Sequence, residues 1–160
     1  MKPVAVILIL LVLAALVGLG YLYFTSGLDV TFSSVVATDP VSQTEVFSQI
    51  SSEVEAETFT GTRYSTEPLD SPEDYLFYTW TVRLENHSFL PVDTIEIRVI
   101  PMTGDVLLLG DTEQHTLASR KSMDLSATIL TARRMHSVRE AIVTWYVWGL
   151  PFSARLTLGK

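Results

Sequence analysis

An unbroken apolar run near the N-terminus constrains this chain more than any other feature. Residues 4–24 contain no charged or strongly polar side chain over 21 positions. In a helix that rises about 1.5 Å per residue, such a run reaches roughly 31 Å. This length matches the hydrocarbon core of a bilayer, which is about 30 Å thick. The sequence therefore predicts one membrane-spanning helix over residues 4–24.

A cleaved signal peptide is the alternative interpretation of this run. Signal peptides carry an apolar stretch of about 7–15 residues that ends at a small-x-small cleavage site. Here the run is longer, and the small-x-small segment 18–20 is followed by four more apolar or aromatic residues. Tyr21 and Tyr23 lie where an interfacial aromatic belt is expected. We therefore predict an uncleaved anchor, preceded by a tail over residues 1–3 and followed by one domain over residues 25–160.

The basic residues around the anchor predict its orientation. Lys2 precedes the run, and no Lys or Arg follows it until Arg63. Cytoplasmic flanks of membrane helices are enriched in Lys and Arg. We therefore expect a single-pass protein of the cell membrane, with residues 1–3 in the cytoplasm and residues 25–160 outside it.

Charge and cysteine content narrow the class of the domain. The net charge is −7, and residues 29–74 hold ten acidic residues and one basic residue. Nucleic-acid-binding domains present a clustered basic face, so we expect no nucleic-acid partner. The chain has no cysteine, which excludes a lipid-modified cysteine. Its domain must be held by core packing alone, although disulfides usually reinforce domains in oxidising compartments. This composition fits a bacterial cell-surface domain.

One helix is predicted early in the domain. Residues 28–33 alternate apolar and polar side chains, which indicates a first strand. Asp39 and Pro40 then combine an N-cap with a proline at the first helical position. Four apolar residues follow on one helical face: Val46, Phe47, Ile50 and Val54. This pattern predicts a short helix over about residues 40–54.

A loop and a series of strands follow that helix. Residues 67–74 contain two prolines and four acidic residues; they lack the spacing of an EF-hand calcium loop, so we interpret them as a solvated loop. Period-two alternation then predicts strands over residues 75–85, 92–100, 106–109, 123–130, 140–148 and 152–158, and residues 58–64 are a further candidate. Strands at such spacing favour an antiparallel sandwich or barrel, and the absence of strand–helix alternation after residue 75 disfavours a parallel α/β sheet.

Three segments resemble the immunoglobulin-like modules of bacterial cell-surface proteins. They are residues 84–88, with the turn Asn86-His87-Ser88, then the alternating residues 92–99, and then residues 124–129 after a polar corner. The resemblance covers about residues 75–158. It implies a mainly β, immunoglobulin-like sandwich with the helix over 40–54 as an addition, and a binding or spacer role.

Patterns for catalysis or cofactor binding are not found in the sequence. His87, His115 and His136 do not share metal-ligand spacing, and neither a Gly-x-Ser-x-Gly elbow nor a phosphate-binding glycine loop occurs. We therefore predict no enzyme activity, no metal and no cofactor. Asn86-His87-Ser88 is also a formal glycosylation sequon, but we favour Asn86 as a turn residue.

Three groups of residues are candidates for binding. Tyr146 and Trp148 lie on one face of the last hairpin. We expect the helix over 40–54 to cover this face, because the apolar stripe of the helix needs a partner; the alternative is that the face stays exposed as an apolar patch. Arg133, Arg134 and Arg139 form a basic connection that is either simply solvated or meets anionic lipid or polymer. The small residues of the anchor allow close approach of another membrane helix: Ala14, Ala15, Gly18 and Gly20.

Together these features predict a non-enzymatic, membrane-anchored envelope protein. Its extracytoplasmic domain is expected to bind or scaffold another envelope protein, in or near the membrane. A ligand-binding or sensory accessory subunit of a membrane complex is the first alternative. An enzyme with a site assembled from dispersed residues is the second.

Overall fold

The computed structural model describes residues 2–25, 27–110 and 115–159. Helix α1 spans Lys2–Thr25. Its segment Pro3–Tyr21 is long and apolar enough to cross a membrane, and none of it is buried against the described part of the chain. Length and composition alone fit both a membrane span and a signal sequence. Parts of the predicted segments lie outside the described residues, namely Met1, Ser26, residues 111–114 and Lys160.

Nine strands and a second helix follow α1 in the described residues. In chain order they are β1 (Leu28–Thr38), α2 (Thr44–Glu55), β2 (Thr62–Arg63), β3 (Tyr75–Asn86), β4 (Val92–Ile100), β5 (Asp105–Gly110), β6 (His115–Leu117), β7 (Ser122–Ala132), β8 (Arg139–Val147) and β9 (Leu150–Leu158). One sheet has the order β1-β3-β7-β5-β2, and the other has the order β6-β4-β8-β9. Their pairings are antiparallel. The predicted mainly β architecture behind one apolar helix is confirmed.

The two sheets share one apolar core. On β3, Trp80, Val82 and Leu84 are fully buried, and they belong to the same cluster as Val143 and Trp145 of β8. Successive side chains of a strand point to opposite faces of the sheet. The apolar residues at every second position of each strand therefore face the space between the two sheets. Trp80 Nε1 donates a hydrogen bond to the carbonyl oxygen of Ser137 at 3.0 Å, which satisfies the buried indole.

Helix α2 covers the outer face of the five-stranded sheet. A 3-10 turn over Pro40–Gln43 precedes it, and the Asp39 side chain accepts a hydrogen bond from the Val41 N–H at 3.0 Å. The helix predicted over about 40–54 and its start are thus confirmed. The buried residues of α2 join those of three strands in a second cluster: Phe47, Ile50, Val54, Tyr75, Phe77, Leu107 and Leu130.

The predicted cover of the last hairpin by this helix is wrong. The hairpin β8–β9 belongs to the four-stranded sheet, whereas the apolar stripe of α2 packs on β3, β5 and β7. The physical reason is that Tyr75 and Phe77 point away from the shared core and leave an apolar surface on the outer side. The helix covers that surface instead.

Short strands and one turn also differ from the sequence patterns. β6 falls between the predicted strands 106–109 and 123–130, where no strand was predicted, and of residues 58–64 only Thr62–Arg63 pair. Such short edge strands depend on their neighbours rather than on local propensity. The β8–β9 turn consists of Trp148 and Gly149, with φ of 52° and 76°, rather than residues 149–151. Two consecutive positive φ angles are typical of a two-residue hairpin turn.

Candidate functional site

One end of the two sheets lies next to α1 along the chain. Leu28, the first residue of β1, pairs with Asn86 at the end of β3. The remaining pairings at this end are Glu85 with Ser122, Val92 with Leu117, Asp93 with Tyr146, and Val147 with Leu150. We call this the proximal end; its turns are residues 87–91, 118–121 and 148–149. The distal end carries the connections 101–104 and 133–138.

Asn86 joins two turns of the proximal end. Its side-chain amide lies within hydrogen-bonding distance of the carbonyl oxygens of Leu90 (2.8 Å), Leu117 (3.3 Å) and Ala118 (3.2 Å). Its Oδ1 accepts from the backbone N–H and the hydroxyl of Ser88. Asn86 is only 1% exposed. Asn86 is the last residue of β3, and its buried side chain holds the following turn, which agrees with a structural role rather than with a glycan acceptor.

Large apolar side chains stand exposed on the proximal turns. Phe89 is 68% exposed, Trp148 is 60% exposed and Leu150 is 51% exposed. The Arg120 guanidinium carbon lies 4.3 Å from the centroid of the Phe89 ring, a cation–π contact between two turns. Trp148 thus stays uncovered at the hairpin tip, while Tyr146, two residues earlier on β8, is half-buried.

A shallow cavity of about 410 Å³ lies beside these residues. It is lined by Glu85, Asn86, His87, Arg120, Lys121 and Ser122. His87 Nε2 lies 3.6 Å from Glu85 Oε2, and Arg83 pairs with both Glu85 and Asp124. The charges around the cavity are therefore mixed in sign, and they are spread over a surface open to water.

The structure does not bring the predicted binding residues together. Arg133 and Arg134 lie in the distal connection 133–138, at the opposite end from Tyr146 and Trp148. Strands rise about 3.3 Å per residue, so the 12 residues of β3 separate the two ends by roughly 40 Å. A partner bound by Arg133 and Arg134 would therefore use a different surface from one bound by Trp148.

Arg139 is not available at the surface, and its prediction as a binding residue is wrong. It is 1% exposed, and its Nη2 and Nε donate to the Asp105 carboxylate at 2.6 and 2.9 Å. The physical reason is its place as the first residue of β8, where alternation turns its side chain inward. Inside the domain, the charge is stabilised by pairing with Asp105.

Arg133 forms an exposed ion pair instead. Its Nη1 and Nη2 lie 2.9 and 2.8 Å from the two carboxylate oxygens of Asp39, and its Nε donates to the Glu73 carbonyl. The hydrogen bond from Arg133, and a second one from the Val41 N–H, hold the pKa of Asp39 below its ordinary value. The basic connection therefore ties the distal loops to the start of α2.

The remaining candidates are placed as follows. Ala14, Ala15 and Gly18 are exposed on α1, and a Cβ added at Gly18 or Gly20 would meet no atom within 4 Å. Among the described residues, no cluster of three or more His, Asp or Glu side chains could hold a metal ion.

Sequence reasoning missed Phe89 and Arg120. The local signal was Phe89, a large apolar side chain between two predicted strands. Its contact with Arg120 left no local signal, because the two turns meet only through strand pairing.

Comparisons with known proteins give no family for this chain. No protein-family model matches it, and no curated protein matches its sequence. Among solved structures, it is similar to the crystal structure of the "Putative ApaA Protein" from Bordetella pertussis, with 16% identity and a TM-score of 0.38. The match covers 84% of this chain and 95% of the other.

Proposed function

We propose that this chain is a non-enzymatic, single-pass membrane protein whose β domain binds or scaffolds another envelope protein. Residues 1–3 lie in the cytoplasm, residues 4–24 form the anchor, and residues 25–160 lie outside. One observation carries this proposal. Within the described part of the chain, no residue buries the apolar segment Pro3–Tyr21, and the segment is linked to a domain with its own apolar core. A bilayer is the environment that accepts such a helix.

The strand order supports an immunoglobulin-like fold for the domain. In that fold, strands A, B, E and D form one sheet and strands C, F and G form the other. Seven strands of this chain correspond in chain order, with β1, β3, β7 and β5 in one sheet and β4, β8 and β9 in the other. β2 and β6 are additional edge strands. Many cell-surface domains share this sandwich architecture, which agrees with the extracytoplasmic location that we propose.

Two surfaces are available to a protein partner. Ala14, Ala15, Gly18 and Gly20 are small residues of α1 that leave room for a second helix against it. Outside the anchor, exposed Arg134 and the exposed ion pair of Arg133 with Asp39 lie about 40 Å along the strands from the proximal end. A partner in the membrane plane would use the first surface, and a partner reaching over the domain would use the second.

Chemical cross-linking in intact membranes tests this proposal. We expect a cross-linked partner to co-purify with the full chain in mild detergent. Recovery should fall when residues 4–24 are replaced by an unrelated membrane helix of equal length. The variant Arg133→Ser/Arg134→Ser separates the distal surface from the anchor. Alkaline extraction and intact mass should show a membrane-integrated, uncleaved chain. A soluble chain that lacks its first residues would contradict the anchor.

A further inference from the structure

We infer that the proximal end of the β domain contacts the lipid bilayer, with Phe89 and Trp148 entering the headgroup layer of the membrane that holds α1. This inference rests on the proposed anchor. It assigns the proximal turns to lipid rather than to a protein partner, and it makes the domain a membrane-resting module rather than a freely swinging one.

The length of the connection carries the first part of the argument. α1 ends at Thr25 and β1 begins at Leu28, so two residues separate them. Consecutive Cα atoms lie about 3.8 Å apart, which limits the distance from Thr25 to Leu28 to about 11 Å. Leu28 pairs with Asn86 at the proximal end. If α1 spans the membrane, the proximal turns must therefore lie close to the bilayer surface.

The chemistry of these turns fits an interface between water and lipid. Phe89 and Trp148 are more than half exposed. Tryptophan is enriched where membrane helices meet the headgroups, and Phe89 adds apolar surface beside it at the same end of the domain. Arg120 lies over the Phe89 ring; an arginine can keep its charge at the headgroups while its stem covers apolar surface. Leu150 adds a third exposed apolar side chain beside Trp148.

The charged residues at the proximal end indicate which lipid headgroups are needed for membrane contact. Arg120 and Lys121 are exposed, but Asp29 and Asp93 are exposed at the same end, and Glu85 and Asp124 are paired with Arg83. His87 lies beside Glu85. Positive charge does not dominate, so attraction to anionic lipid is not the main term. We therefore expect contact with zwitterionic membranes through the apolar side chains.

The backbone conformation at Trp148 independently indicates that this side chain has a functional role. Its φ of 52° lies in the left-handed region, which a bulky side chain rarely adopts. Two-residue turns of this kind favour Asn or Asp before Gly. A tryptophan here contributes neither to the turn nor to the core, because its side chain is 60% exposed. Strained positions of this kind point to a functional role for the residue.

Tryptophan fluorescence in vesicles tests the inference, because the other two tryptophans, Trp80 and Trp145, are buried. The full chain is reconstituted into phosphatidylcholine vesicles with and without acyl chains brominated near the headgroup, and flotation of the vesicles reports on the anchor. We expect brominated lipid to quench the wild type and Trp148→Phe to lose most of that quenching. The variant Phe89→Trp/Trp148→Phe should regain it. The matched control Met102→Trp/Trp148→Phe places an exposed tryptophan at the distal end and should not.

The outcomes separate the inference from the proposed function. A chain that floats with the vesicles, yet is quenched equally in wild type and Trp148→Phe, overturns the lipid contact alone. The lipid contact is also overturned if brominated lipid quenches Met102→Trp/Trp148→Phe as strongly as Phe89→Trp/Trp148→Phe. The distal and proximal ends would then be equally close to the lipid. A chain that fails to float overturns the anchor and the inference together.

Discussion

Arg139 Nη2 and Asp105 Oδ1 lie 2.6 Å apart, and both side chains are fully enclosed. Arg139 Nη1 also donates to the carbonyl oxygens of His136 and Val138. Asp105 Oδ2 accepts a hydrogen bond from the Met102 N–H. The ion pair therefore connects both distal loops to the strands β5 and β8 inside the domain.

Replacing Arg139 alone should destabilise the domain strongly. In Arg139→Met, the Asp105 carboxylate stays buried without its cation, and breaking a buried pair typically costs about 3–5 kcal/mol. Urea unfolding of the full chain in mild detergent, followed by circular dichroism, measures the loss.

Two further variants make this measurement specific. Asp105→Leu/Arg139→Met leaves no unpaired charge and should lose less than the sum of the single variants. Arg134→Met, an exposed neighbour, should stay within about 0.5 kcal/mol of the wild type. Wild-type stability of Arg139→Met would contradict the burial of this pair.

The exposed ion pair of Arg133 with Asp39 should affect the titration of the Asp39 carboxyl at acid pH. The Asp39 pKa is lowered from its ordinary value of 3.8, mainly by the hydrogen bond from Arg133. A lowered pKa in the folded state stabilises the fold above the unfolded pKa, and this contribution is lost as the pH falls through the lowered value. NMR titration of the Asp39 carboxyl should show its pKa rising toward 3.8 in Arg133→Gln. The matched variant Arg134→Gln should leave it unchanged; equal effects of the two would contradict a specific pair.

Asn86 should be needed for the stability of the proximal end. Asn86→Ala removes the donors to the carbonyl oxygens of Leu90, Leu117 and Ala118 and the acceptor for Ser88. Unsatisfied buried polar groups cost about 1–3 kcal/mol, which is the destabilisation we expect by urea unfolding. Ser153→Ala, on the exposed face of β9, is the control and should have little effect. Hydrogen exchange should locate the loss in residues 86–92 and 117–121.

The hairpin turn should gain stability when Trp148 is replaced. Trp148→Asn creates the Asn-Gly sequence that two-residue turns prefer, and relief of a left-handed bulky residue is worth about 1 kcal/mol. We therefore expect a higher free energy of unfolding together with loss of quenching by brominated lipid. Met102→Asn replaces an exposed distal turn residue without a positive φ, and should not stabilise. A less stable Trp148→Asn variant would show that Trp148 contributes to folding.

Local sequence patterns were enough to predict most of the individual helices and strands. The uninterrupted apolar run predicts α1, and Asp39-Pro40 with four spaced apolar residues predicts α2. Alternation predicts the long strands, of which β3 is the clearest, because side-chain direction along a strand depends only on the position of each residue.

Partners and burial were decided by the tertiary structure alone. Arg139 and Asp105 are 34 residues apart in the chain, and only the placement of β5 and β8 encloses them together. Phe89, Arg120 and Trp148 belong to three separate turns, which strand register gathers at the end next to α1. The sequence by itself determined the two helices and the long strands, since those preferences are local, whereas the short edge strands β2 and β6 depended on their neighbours. Which faces are covered, and which residues meet, depended on long-range pairing, which no local pattern encodes.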